Sequence, residues 1–222
     1  MSMRRRLRPA TARTEPWHPY AWQTQSLLLA YPDEQFPQRL ALAHRVAPTL
    51  PARVRDPLLR FTGHAENTPA DELAAAYVAT FDHRKRCCPY LTYYAHGDTR
   101  KRGIALLRLK QAYAAAGLRL SDDELPDHLA VVLECAGMDP PTGHRLLTEH
   151  RAGLELLRLA LRAEDSPWTA VLESVSATLP PLKGDEQQAV ARLAAEGPPE
   201  EQVGLAPYTP SQYMPDPAGG PR

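Results

Sequence analysis

Residues 77–103 read YVATFDHRKRCCPYLTYYAHGDTRKRG, and this stretch decides how the rest of the chain is organised. It contains five aromatic residues, two adjacent cysteines and two clusters of basic residues. It also joins two segments whose apolar spacing predicts helices. A tyrosine-rich turn between helices indicates either a surface that holds another chain or a part of the core, and both interpretations remain open.

The segment before this turn has the start signal and the buried face of an amphipathic helix. Thr68 is a suitable N-cap, Pro69 suits the first helical position, and Asp71 lies three residues after the cap. Apolar side chains then recur at helical spacing, at Leu73, Ala76, Tyr77, Thr80 and Phe81. This pattern predicts that Tyr77 and Phe81 pack in the core, where the hydroxyl of Tyr77 would need a partner.

The segment after the turn predicts a second helix over about residues 99–116. Gly97 and Asp98 are expected to form a turn and the cap of this helix. One apolar stripe is formed by Leu106, Leu109, Tyr113 and Ala116. Ile104 and Leu107 lie on another side, which predicts a helix that is packed on two faces.

A second informative stretch surrounds Pro126. Ser121 and Glu124 have the spacing of a capping box, but Pro126 would then lie inside the helix and remove a hydrogen bond. The helix is therefore either distorted here or begins again near Pro126. In both cases Asp127 and His128 are expected close to a helix start, off the buried stripe and pointing outward, where they form a candidate site.

The remaining helices are predicted from apolar periodicity and from proline and glycine boundaries. They cover residues 20–31, 33–50, 53–61, 144–163, about 167–175 and 185–196. The predicted domain organisation is a disordered basic arm over residues 1–16, one all-helical domain over residues 17–197, and a disordered proline-rich tail over residues 198–222.

Composition excludes several classes of protein. The 222 residues contain 26 Lys and Arg against 26 Asp and Glu, so the chain lacks the positive field of a general nucleic-acid binder. Three cysteines, of which Cys87 and Cys88 are adjacent, form neither a disulfide framework nor a zinc-binding pattern, and they favour reduced thiols in the cytoplasm. No apolar run has the length of a secretory signal or a membrane span.

The sequence contains no phosphate-binding glycine loop, no nucleophile elbow and no spaced Cys or His metal motif. These absences favour a binding protein over an enzyme. The alternative is a small hydrolase or nucleotide-using enzyme in which Asp127 and His128 act as an acid–base pair. A scaffold that binds membrane or nucleic acid through its arginine-rich arm is a third hypothesis.

Taken together, the two informative stretches resemble the TorD/DmsD/NarJ family of molybdoenzyme assembly chaperones, and its nitrate reductase branch in particular. The resemblance is carried by residues 77–103, by IALLRLKQAYAAAGL up to residue 118, and by DDELPDHLAVVLE over residues 122–134. The most specific elements are the Tyr-x-x-x-Phe pair, the LTYY-x-x-GDTR-x-RG string and the Pro-Asp-His sequence. They cover roughly a quarter of the chain.

The resemblance implies a single-domain, all-α helical bundle without catalytic activity. It implies a cytoplasmic chaperone that binds the N-terminal peptide of the alpha subunit of nitrate reductase while molybdenum cofactor and iron–sulfur clusters are inserted, before the subunit docks at the membrane. The chaperone itself would bind no cofactor tightly, no nucleic acid and no membrane. Molybdenum cofactor biosynthesis proteins are further expected partners.

The family places its client peptide near the aromatic motif and the Asp-His motif. In this sequence the corresponding residues are Tyr77, Phe81, Tyr90, Tyr93, Tyr94, Gly97, Asp98, Glu124, Pro126, Asp127 and His128. No role is expected for Cys87 and Cys88.

Overall fold

The computed structural model describes residues 14–121 and 124–196, and all its regular structure in these ranges is helical. This confirms the prediction of an all-α fold. The predicted proline-rich tail and nearly all of the predicted basic arm lie outside the described residues. Among the helices that the structure describes, none combines the length and the apolar character needed to cross a membrane.

The described ranges contain eleven α-helices and two short 3-10 turns. The helices are α1 (His18–Leu29), α2 (Phe36–Val46), α3 (Ala52–Glu66), α4 (Ala70–Phe81), α5 (Leu91–His96), α6 (Arg100–Ala115), α7 (Leu129–Met138), α8 (Pro140–Glu149), α9 (Arg151–Ala163), α10 (Trp168–Ala177) and α11 (Gly184–Glu196). The 3-10 turns are Ala47–Thr49 and Lys85–Cys87.

The core is built mainly from α1, α3, α7 and α10. Helix α1 packs against α2, α7 and α10, and α10 packs in turn against α3 and α9. Trp22 and Trp168 are fully buried between these helices, where each indole N–H has a partner. The Trp22 indole donates to the Thr178 hydroxyl at 2.9 Å, and the Trp168 indole donates to the Leu28 carbonyl at 3.3 Å. Helices α1 and α10, which lie far apart in the sequence, therefore share one core.

The predicted helix over residues 144–163 is in fact two helices, α8 and α9. The break lies at His150, whose backbone leaves the helical region with φ −103° and ψ 19°. The His150 N–H still donates to the Leu146 carbonyl at 3.1 Å, and its Nδ1 atom lies 2.9 Å from the same oxygen. The break lets α8 pack against α7 while α9 packs against α5, α10 and α11.

The prediction that the helix after the turn is packed on two faces is wrong. Leu109 and Tyr113 of α6 are buried, but Ile104 and Leu107 are 57% and 56% exposed. In the described residues α6 packs mainly against the short helix α5. Because no other helix covers it there, the second apolar side of α6 remains in contact with solvent.

A buried histidine links the N-terminus of α1 to the end of α10 and predicts a pH dependence of stability. The Glu15 N–H donates to Nδ1 of His18 at 2.6 Å, and Nε2 lies 3.1 Å from the Thr178 carbonyl. These bonds assign the proton of a neutral ring to Nε2. Burial lowers the pKa of His18 and outweighs the hydrogen bond to Thr178, which acts in the opposite direction.

Neutral His18 is therefore expected to stabilise the fold above the pKa of a free histidine, about 6.5. Below that pH the unfolded chain takes up a proton first, so this contribution is lost as the pH falls through the lowered pKa of the folded state. We expect the melting temperature of the His18→Gln variant to fall less than that of the parent protein between about pH 7.5 and about pH 5.5. Equal pH profiles in differential scanning calorimetry would contradict this assignment.

Candidate functional site

Main-chain hydrogen bonds join the aromatic stretch to the Asp-His stretch. The Leu91 N–H donates to the Asp127 carbonyl at 2.9 Å, and the Leu129 N–H donates to the Pro89 carbonyl at 2.9 Å. Between these two bonds Tyr90 and His128 form an isolated antiparallel bridge. Their rings meet edge to face with centroids 5.3 Å apart. The two informative stretches of the sequence therefore meet at one place in the fold, which we call the bridge.

Asp127 lies inside the protein, so the prediction that it points outward is wrong. Its side chain is fully buried, and Oδ2 accepts hydrogen bonds from the Thr92 hydroxyl at 2.5 Å and the Thr92 N–H at 3.3 Å. Nη2 of Arg102 lies 3.5 Å from the same oxygen. Thr92 is in the first turn of α5, where unpaired amide groups and the helix dipole favour a carboxylate. Asp127 thus fastens the segment before α7 to α5.

His128 is the N-cap residue of α7, and its Nδ1 accepts a hydrogen bond from the Ala130 N–H at 3.2 Å. Of the two alternatives for the region around Pro126, the new helix start is correct, and α7 begins at Leu129. Burial lowers the pKa of His128, although the nearby Asp127 and Glu124 carboxylates oppose this effect. The imidazole is therefore neutral at neutral pH.

The predicted capping box does not start a helix. The Ser121 hydroxyl does donate to a Glu124 carboxylate oxygen at 3.1 Å, but residues 124–128 are not helical, and residues 122 and 123 lie outside the described ranges. Pro126 is buried in this segment, and its carbonyl accepts a hydrogen bond from the Tyr113 hydroxyl of α6 at 2.6 Å. Pro126 therefore anchors the segment from the inside.

A cleft of about 350 Å³ opens beside the bridge, between α1, α4 and α7. We call it the His128 cleft. The residues that matter for its chemistry are Tyr31, Tyr77, Tyr90, Glu124, His128 and Glu134. The Tyr77 hydroxyl donates to the Leu29 carbonyl at 3.0 Å, which holds its ring against that of Tyr31 at 5.5 Å between centroids. The cleft thus has aromatic walls and two carboxylates.

Sequence reasoning missed Glu134 and Tyr31. Glu134 is the only charged residue of α7, and a lone carboxylate in an otherwise apolar helix is the signal that could have indicated it. Burial raises the pKa of Glu134, and the neighbouring Glu124 carboxylate adds to this rise. The described lining of the His128 cleft contains no Lys or Arg. The carboxylates of Glu124 and Glu134 therefore repel each other, and no cation in this lining offsets the repulsion. A positively charged guest would relieve this repulsion.

Phe81 and the Tyr93–Tyr94 pair lie away from the His128 cleft. Phe81 is buried against Tyr77 and Trp168, with centroids 4.6 Å and 5.5 Å apart, which confirms its predicted core packing. The buried Tyr94 donates from its hydroxyl to the carbonyls of Arg86 and Cys88. Tyr93 and Tyr94 instead line a separate cleft of about 500 Å³ between α5, α9 and α11, which we call the Tyr93 cleft.

Gly97 and Asp98 have local roles at the junction of α5 and α6. Gly97 ends α5 with φ 56° and ψ −153°, a conformation that essentially only glycine adopts, so its prediction as a turn residue is confirmed. Asp98 is not the cap of α6, because Thr99 occupies that position. The exposed Asp98 carboxylate pairs with Arg102 at 3.1 Å instead. The structure therefore gathers Tyr77, Tyr90, Glu124 and His128 in one cleft and distributes the other candidates elsewhere.

Residues 47–173, more than half of the chain, match the family described as "Nitrate reductase delta subunit". The chain belongs to this family. The matched region of the nitrate reductase delta subunit family includes both the aromatic stretch and the Asp-His stretch. The resemblance that their motifs carry is thereby confirmed.

Individual members of the nitrate reductase delta subunit family give the same result. A Bacillus subtilis protein described as the nitrate reductase molybdenum cofactor assembly chaperone NarJ is 31% identical over 159 residues, 69% of this chain and 85% of the relative. The Escherichia coli chaperone NarJ is 33% identical over 112 residues, 49% of this chain and 48% of the relative. The nitrate reductase-like protein NarX of Mycobacterium tuberculosis is 37% identical over 73% of this chain, which spans 24% of the length of NarX.

The solved structure of an Archaeoglobus fulgidus protein described as a redox enzyme maturation protein has the same fold. It superposes with a TM-score of 0.56 at 22% identity, over 77% of this chain and 98% of the other. The relatives named NarJ are assembly chaperones and not enzymes, which confirms the prediction that this chain is not an enzyme. The burial of Asp127 agrees with this result, because a sealed carboxylate has no access to a substrate.

Proposed function

We propose that the protein is a system-specific chaperone that binds the N-terminal region of the alpha subunit of respiratory nitrate reductase. It would hold this client in the cytoplasm, assist the insertion of molybdenum cofactor and iron–sulfur clusters, and release the client for membrane docking. Membership of the nitrate reductase delta subunit family supports this proposal. The observation that carries it is the His128 cleft, because two motifs that are distant in sequence meet at its wall.

The His128 cleft has the chemistry of a peptide site. Tyrosine rings offer a large contact area at a low cost in rotamer entropy, and an amphipathic helix can place its apolar side chains against them. Glu124 and Glu134 lie in the same lining, and no Lys or Arg belongs to the described part of that lining. A Lys or Arg side chain of the client would pair with these carboxylates and could stack on the rings of Tyr31 or Tyr90.

In this proposal molybdenum cofactor is the cargo of the client and is not bound tightly by the chaperone. Across residues 14–121 and 124–196, no group of three or more His, Cys, Asp or Glu side chains is arranged to hold a metal ion. Burial raises the pKa of Cys87 and of Cys88, so both remain protonated thiols, and we assign them no role. Molybdenum cofactor biosynthesis proteins are the expected source of the cargo. The domain limits at residues 17 and 197 stay predictions.

Calorimetric titration with a synthetic N-terminal peptide of the alpha subunit tests the proposal. His128→Asn keeps a side-chain acceptor for the N-cap of α7 but removes the ring from the cleft, and Glu134→Gln removes one carboxylate. We expect each variant to bind the peptide about tenfold more weakly, which corresponds to about 1.4 kcal/mol. The melting temperature should stay close to that of the parent protein.

Glu149→Gln is the matched control for the carboxylate, because Glu149 is exposed on α8, pairs with Arg145 and does not line the cleft. This variant should bind the peptide as the parent protein does. A parent protein without measurable affinity, together with full assembly of nitrate reductase in a strain that lacks the chaperone, would overturn the proposed function.

A further inference from the structure

We propose that the client groove continues from the His128 cleft past Tyr31 into a second, larger cleft, and that it holds a longer basic segment of the client than the His128 cleft alone can accommodate. This inference rests on the proposed function and extends it to a surface that neither informative stretch of the sequence indicates. The second cleft is lined by the α1–α2 loop, by α2, and by the α3–α4 junction. We call it the Phe36 cleft.

The two clefts share a wall. The Phe36 cleft has a volume of about 760 Å³, roughly twice that of the His128 cleft, and Tyr31 lines both. The Tyr31 ring is 48% exposed and meets Tyr77 edge to face. On α4, Leu73 lines the Phe36 cleft and Tyr77 lines the His128 cleft, one helical turn apart. A chain segment that leaves one cleft across Tyr31 therefore enters the other directly.

The Phe36 cleft has an apolar floor and an acidic rim. Phe36, Leu40 and Leu73 contribute apolar surface, and Phe36 and Leu73 are almost fully buried beneath it. The rim carries four carboxylates, which belong to Asp33, Glu34, Glu66 and Asp71. An amphipathic segment would place apolar side chains on this floor and cationic side chains at the rim.

Some of these carboxylates already have partners within the protein. Asp33 pairs with Arg39 at 2.8 Å, and Glu66 lies 2.8 Å from Nε2 of His44. No ion pair is found for Glu34 or Asp71 in the part of the chain that the structure describes. These two are therefore the carboxylates available to a guest.

Charge is segregated between the faces of the protein. Among the residues that the structure describes, the linings of the Phe36 and His128 clefts together present six carboxylates and no Lys or Arg, although the whole chain carries equal numbers of acidic and basic residues. The Tyr93 cleft has the opposite sign, since Lys85 and Arg86 line it and no carboxylate does among its described residues. A basic client segment is thus attracted to the continuous acidic groove and repelled from the Tyr93 cleft.

The test is calorimetric titration of the full chain with two peptides from the N-terminus of the alpha subunit. A truncation series first defines the shortest peptide that binds, and the second peptide extends it in the direction that adds basic residues. Asp71→Lys reverses a charge at the rim of the Phe36 cleft. Glu72→Lys is its matched control, because Glu72 is exposed in the same first turn of α4 but does not line the cleft.

We expect the longer peptide to bind the parent protein more tightly and to lose about tenfold in affinity with Asp71→Lys. Its affinity for the Glu72→Lys variant should stay within about twofold of the parent value, and the short peptide should bind all three proteins equally. Ala41→Trp, which fills the cleft from the exposed side of α2, should lower only the affinity of the longer peptide.

Three results would overturn the inference. Equal affinities of the short and long peptides for the parent protein would show that the groove ends at Tyr31. Equal effects of Asp71→Lys and Glu72→Lys would show a general charge effect, and a concentration-dependent dimer abolished by Ala41→Trp would show that a second copy of the chain occupies the cleft. Absence of binding by either peptide would instead reject the proposed function itself.

Discussion

Replacing the buried Asp127 with alanine is expected to lower the free energy of unfolding by about 3 kcal/mol. The substitution leaves the hydroxyl and N–H of the buried Thr92 without their acceptor. It also removes the buried partner of the Arg102 guanidinium. For a chain of this length the melting temperature should fall by about 10 °C in differential scanning calorimetry.

Asp98→Ala is the matched control, because Asp98 pairs with the same Arg102 but its side chain is 73% exposed. Exposed ion pairs contribute little to stability, so we expect the free energy of unfolding to fall by about 0.5 kcal/mol or less. Asp127→Asn keeps one oxygen as acceptor for Thr92. It should lower the free energy of unfolding by an amount between those of Asp98→Ala and Asp127→Ala. Equal stability of the Asp127→Ala and Asp98→Ala variants would show that burial of the carboxylate does not matter.

The second large effect is expected where α7 and α8 cross. A Cβ atom added at Gly143 would lie 2.0 Å from Cα and 2.6 Å from the backbone nitrogen of Ala136. These are backbone atoms, so a rotamer change cannot remove the overlap and the two helices must move apart. We expect Gly143→Ala to lower the free energy of unfolding, measured by urea denaturation, by about 3 kcal/mol.

Gly103→Ala provides the opposite result in the same experiment. Gly103 lies inside α6, and among the described residues no neighbouring heavy atom lies within 4 Å of an added Cβ, so alanine should stabilise the helix by about 0.5–1 kcal/mol. In the Gly143→Ala background, Ala136→Gly should restore only part of the stability, because the backbone overlap remains. A Gly143→Ala variant at least as stable as the parent protein would contradict the close crossing.

Local sequence patterns predicted most of the helices but not every boundary. Proline at 69 and the spacing from Leu73 to Phe81 correctly indicated α4, which begins at Ala70. Helix α5 was missed, because its six residues, Leu91–His96, are too few for a periodic pattern to appear. The break at His150 was also missed, since no proline or glycine lies at that position and the separate packing of α8 and α9 is decided by tertiary contacts.

For the site, the sequence indicated the right stretches but not the direction of each side chain. Asp127 and His128 are adjacent in sequence, yet one is sealed against α5 and the other lines the cleft. The Asp127 side chain turns inward because it binds the Thr92 amide and Arg102, and these two groups come close to it only in the folded chain. Tyr31 belongs to a distant segment that meets the cleft only in the folded chain, so no local pattern around Pro126 could include it, whereas Glu134 lies on α7 within the Asp-His stretch and was overlooked there.

The bridge makes the His128 cleft depend on the completion of folding. Thr92 and Asp127 are 35 residues apart, and the main-chain bonds beside them form only when the intervening α6 has folded back onto the segment before α7. A nascent or partly opened chain therefore lacks the wall on this side of the His128 cleft. Hydrogen exchange measures this dependence, because loss of amide protection at Leu91 and Leu129 while the amides of α1 and α10 stay protected would show that the bridge opens before the core does.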